Sequence, residues 1–170
     1  LAPLLIGTAV GTFFTGSDFM VKKSAVGDIA SPVISRWANE WHGLEAVANP
    51  FNVEFGLMVM FLAVCLGALY MINNIDDNDL RDNLRRNLMI CFGGFLLMLV
   101  LVLVQFITME GFAVDADGVV VMEKGKYFHN LIQMPVVLTM FLLGAILLVA
   151  GVVMTLIRKE FNRGIWIAGP

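Results

Sequence analysis

Few side chains in this sequence pair reactivity with a setting that could use it. Glu54 and Gln105 stand inside long apolar runs, where polar groups are expensive. A charge at mid-bilayer costs roughly 2.5–3.5 kcal/mol on insertion scales, and less near the interface. His42 and His129 are the two histidines, and such a pair could hold a haem iron. Ligation inside a bundle needs them on facing helices. Both fall in loops, which favours hydrogen bonding at the surface. Cys65 and Cys91 lie in apolar runs with no Cys or His at ligand spacing, so they read as small buried apolar residues. Asp115-Ala116-Asp117-Gly118 shares the opening of a calcium loop but lacks the remaining ligands and the closing Glu, and reads as a turn. No hydrolytic triad, phosphate loop or zinc signature is present. The expected catalytic, cofactor-binding and metal-ligating sets on this chain are therefore empty. Glu54 and Gln105 remain as a candidate intramembrane polar pair.

The elements that would position this pair are membrane spans. Leu88 to Thr108 carries no charge, and at ~1.5 Å per residue its length matches the ~30 Å hydrocarbon core of a bilayer. The chain is 59% apolar and only 15% charged, as a membrane protein requires, and its net charge of −3 gives no reason to expect nucleic acid. The reading is an all-α polytopic transmembrane helical bundle forming a single domain over 1–170. Three complete spans are expected at 51–72, 88–108 and 136–157. Partial spans at 1–16 and 164–170 suggest an internal fragment of a longer chain. Gly7 and Gly11 have the small-xxx-small spacing that lets helices approach closely.

Two long loops and one short one join these spans. Ser31-Pro32 resembles a helix start, and Ile34, Trp37, Trp41 and Leu44 then recur at helical spacing. This predicts a short amphipathic helix. Trp37 and Trp41 either anchor it in the headgroup region or pack on neighbouring helices. Phe112-Ala113-Val114 and Val119-Val120-Val121 flank a turn at Asp117-Gly118, which predicts a β-hairpin. Tyr127 to Gln133 reads as a further surface turn. The short connection 73–87 carries acids early and arginines late, with Asp82 and Arg86 as an i,i+4 pair.

Basic residues give an orientation. Arg81, Arg85, Arg86, Arg158, Lys159 and Arg163 crowd the short connection 73–87 and the segment 158–163, whereas the two longer loops are poorer in them. The charge rule then places 73–87 in the cytoplasm and 17–50 and 109–135 outside, in the periplasm of a bacterium. Glu54 would lie one turn into its span from the outer side, and Gln105 one turn from the outer end of the next, antiparallel span. The two share a depth, and a hydrogen bond between them would offset part of the burial. Glu54 could belong to a polar pathway or to a quinone or lipid headgroup site. It could equally be bridged, or reach water.

A resemblance goes further. Phe13-Phe14-Thr15-Gly16-Ser17-Asp18-Phe19 leads to Trp37-Ala38-Asn39-Glu40-Trp41-His42-Gly43-Leu44, then Asn49-Pro50-Phe51. Tyr70-Met71-Ile72-Asn73-Asn74, Tyr127-Phe128-His129-Asn130 and Met134-Pro135-Val136 follow. This order resembles the cytochrome bd ubiquinol oxidase subunit II (CydB) family in its Bacteroides-type form, from its fourth transmembrane helix to the start of its eighth. The resemblance implies a subunit of a quinol:oxygen oxidoreductase in the bacterial inner membrane. It implies that haem b and haem d are held by subunit I. This chain would be the haem-free structural partner of subunit I, contacting lipid and quinol, with a quinone as a further candidate ligand. The acidic residue of the family's proton path belongs to earlier helices, so the resemblance assigns Glu54 no role. A membrane transporter subunit and a non-enzymatic membrane scaffold are the alternatives. Against the transporter, the second and third complete spans lack the interruptions that build a midplane site.

Overall fold

Proline, asparagine and aspartate set where the long helices begin. α1 (Ala2–Thr15) has Pro3 in its first turn, and α2 (Pro50–Asn74) and α5 (Pro135–Leu156) open directly on proline. A helix's first N–H groups have no partner, so proline loses nothing there. Asn49 caps α2, its Oδ1 accepting from the Phe51 N–H at 3.0 Å. Asp77 caps α3 (Asn78–Thr108), accepting from the amides of Asp79 and Leu80 at 2.9 and 3.1 Å. Two short helices, α4 (Lys126–Gln133) and α6 (Gly164–Ala168), are also present among the described residues. This computed structural model describes residues 1–22, 35–115, 118–158 and 162–169.

The chain is an all-α polytopic membrane protein. Among the described residues, α2, α3 and α5 are the helices long and apolar enough to cross a bilayer, with 25, 31 and 22 residues. Only 28%, 11% and 17% of their most apolar windows is buried within the chain. Most of the apolar surface therefore faces outward, toward lipid or other protein. α3 starts ten residues before the apolar run that announces it, so the charged stretch is its first turns. There Asp82 pairs with Arg85 at 3.0 Å rather than with Arg86, which donates to Asn83 Oδ1 at 3.2 Å. The reason is tertiary. Arg85 also donates to the Leu156 carbonyl of α5 at 2.7 Å, and this aims its guanidinium so that Asp82 meets it one turn away.

Small residues bring the helices together. A Cβ on Gly7 would lie 2.8 Å from the Gly56 Cα, and one on Gly11 would lie 2.9 Å from the Asn52 Cα. α1 and α2 thus meet backbone to backbone, as the Gly7/Gly11 spacing suggested. Gly151 of α5 meets Gly164 and Ala168 of α6 in the same way. Gly94 of α3 receives the Phe61 ring of α2. A core of Cys65, Ala68, Leu69, Ile72, Leu88 and Val152 joins α2, α3 and α5 toward the charged end. Both cysteines are free, and Cys91 packs against that core.

The loops at the other end hold two small antiparallel sheets. β1 (Phe19–Val21) pairs with β2 (Ser35–Trp37), Phe19 opposite Trp37. The amphipathic helix expected through Trp37, Trp41 and Leu44 does not form. Ser31, Pro32 and Ile34 lie outside the described residues, Trp37 is in a strand, and Leu44–Ala48 is a 3-10 turn. His42 (φ 50°) and Gly43 (φ 97°) are left-handed, which no right-handed helix can pass through. Asn39 Oδ1 accepts from the Trp41 N–H at 3.0 Å, and the Gly43 position leaves room for the Trp37 ring. The apolar spacing was genuine, but local turn chemistry used it otherwise.

The second sheet is the expected hairpin. β3 (Glu110–Val114) pairs with β4 (Val120–Lys124) in the register Phe112–Met122 and Val114–Val120. The Gly118 N–H bonds to the Asp115 carbonyl at 2.9 Å, and Gly118 takes φ 76°. Ala116 and Asp117 lie outside the described residues. Tyr127 to Gln133, expected as a turn, belongs to α4.

Candidate functional site

Asn52, Glu54 and Gln105 lie at the end of the bundle that carries the two sheets, whereas the buried Thr155 bonds to the Gly151 carbonyl near the other end. α2 rises from Asn49 with Asn52 toward α1 and Glu54 toward α3. Gln105, one turn before the end of α3, donates through Nε2 to Glu54 Oε2. Both side chains are half-buried. On the other side of α2, Asn52 is 1% exposed. Its Oδ1 accepts from the Thr15 hydroxyl at 2.9 Å, and its Nδ2 donates to the Ala46 carbonyl at 3.1 Å. A buried amide left without partners would cost several kcal/mol, by an order-of-magnitude estimate, so this satisfaction is a condition of the packing.

An aromatic cluster lies in the same layer. Phe14 of α1 is ringed by Phe51, Phe55, Phe106 and Tyr127, with centroids 5.2 to 6.1 Å away. The Tyr127 hydroxyl donates to the Phe14 carbonyl at 3.1 Å. One tyrosine from α4 thereby ties the ends of α1 and α3 together. Beside it, a cleft of about 600 Å³ opens between Thr15, Asp18, Glu45, Asn49 and Asn52. Its chemistry is rich in acceptors. Among the described residues, no three His, Cys, Asp or Glu side chains come together as a metal would require.

The histidines are engaged at the surface. His42 Nδ1 meets the Glu40 carbonyl at 2.6 Å, and a carbonyl only accepts, so Nδ1 carries the proton. His129 Nδ1 lies 3.0 Å from Glu123 Oε1, while Lys126 Nζ holds Oε2 at 2.8 Å. The Lys126 hydrogen bond, and then the one from His129, pull the Glu123 carboxyl below its ordinary range. Trp37 and Trp41 are 43% and 67% exposed, Trp37 with its ring against Gly43.

Sequence reasoning found Glu54 and Gln105, and the fold brings them together. It missed Asn52 and Thr15, although an asparagine two positions before Glu54 in an apolar run was a usable signal. It missed Tyr127 for lack of one, since 113 residues separate it from Phe14.

Nothing in this layer names a reaction, so the chain's kinship decides. The family model described as cytochrome bd terminal oxidase subunit II matches residues 1–169. The chain belongs to the cytochrome bd terminal oxidase subunit II family. No curated protein sequence matches it. As a cytochrome bd subunit II it is a multi-pass membrane component of a respiratory-chain terminal oxidase, which is why so little of its apolar surface is buried within itself. Family membership also implies a complex with another subunit.

Proposed function

We propose that this chain is the haem-free structural partner of the haem-carrying subunit I in a complex that oxidises quinol and reduces oxygen to water. The observation that carries the proposal is the family match over residues 1–169. The donor set supports it. Axial haem ligation within a bundle needs a side chain such as histidine on a span facing the iron. His42 lies in a loop and His129 on α4, each bonded through Nδ1 to a neighbour in its own loop region. Neither histidine stands on a span, which supports the reading that haem b and haem d are held by subunit I. In the same reading a quinone is a further candidate ligand of this subunit.

In this reading the protein lies in the bacterial inner membrane with 73–87 in the cytoplasm and 17–50 and 109–135 in the periplasm. The support is the concentration of Lys and Arg at one end of the bundle. The chain forms one transmembrane domain. Glu54 and Gln105 act as a polar tie between α2 and α3, and Trp37 and Trp41 as anchors at the membrane surface.

The test is a preparation of the full-length protein from native membranes through a tag on this chain. Its reduced-minus-oxidised spectrum should show haem b and haem d bands, with quinol-driven oxygen uptake. An intact but colourless, inactive preparation would overturn the assignment and return the transporter and scaffold readings.

A further inference from the structure

We draw no further inference here: the strongest candidate, the cleft of about 600 Å³ that Asp18 and Glu45 line between the end of α1 and the start of α2, rests on an acidic cluster whose buried, unpartnered oxygen, Glu45 Oε1, is sealed away from solvent and so points to no ligand there.

Discussion

At the scale of single residues, Glu54 shows how a polar group is tolerated in a span. Its partner Gln105 is neutral, so the pair stores no ion-pair energy, but each removes an unsatisfied group from the other. Hydrogen bonds between membrane helices average about 0.6 and reach about 1.7 kcal/mol. Glu54→Ala and Gln105→Ala should each lower stability by about that range, and the double variant should cost less than the sum. Thermal unfolding of the purified complex in detergent checks this double-mutant cycle. Glu54→Ala with unchanged stability and oxidase activity would leave the residue without a role.

Glu123 gives a second expectation at this scale. Its carboxyl is held below its ordinary value of 4.5 by Lys126 first and His129 second. A depressed folded value means that the contribution is complete above about pH 4.5 and lost as pH falls through the lower folded value. Hydrogen exchange of the β4 and α4 amides should therefore accelerate relative to the spans when pH is lowered below 4.5, after correction for intrinsic exchange rates. Glu123→Gln should remove most of that dependence.

At the scale of elements, helix contact depends on missing side chains. Apolar helices gain nothing by leaving lipid for one another, so close backbone approach supplies the contact energy. At Gly56 a Cβ would stand 2.6 Å from the Leu4 carbonyl oxygen, a backbone atom that cannot rotate aside. Gly56→Ala should force α1 away from α2 and cost about 1–3 kcal/mol, as overpacking does. It should also loosen the Thr15–Asn52 bond, and a lower melting temperature of the complex checks the prediction. At Gly67, where nothing lies within 4 Å, the same substitution should be nearly neutral. The Gly7/Gly11 spacing was visible in the sequence. Its partner surface at Gly56 and Asn52 was not, because four-residue spacing says nothing about which helix lies opposite.

At the scale of the whole molecule, the bundle has two unlike ends. One carries the charged first turns of α3 and the Arg85 tie to Leu156, the other the aromatic layer and the two sheets. The proposed sidedness is directly testable. Asp79→Cys should react with an impermeant thiol reagent only in inverted vesicles, and Lys124→Cys only in intact right-side-out ones. The opposite pattern would reverse the assignment.

The sequence by itself determined the spans, because crossing a bilayer requires long uncharged helices and little else satisfies that need. It determined the hairpin too, since the aspartate-glycine turn and flanking β-branched residues are local signals. It brought Glu54 and Gln105 to a common depth through antiparallel connection alone. Only the tertiary structure decided which neighbour each polar group takes. Arg85 chose Asp82 because Leu156 aimed it, and Asn52 found Thr15 and Ala46 from distant segments. The strand at Trp37 is of the same kind. Its helical spacing lost to a local left-handed turn at His42 and Gly43, and its strand partner Phe19 comes from a separate segment, which no local pattern reveals.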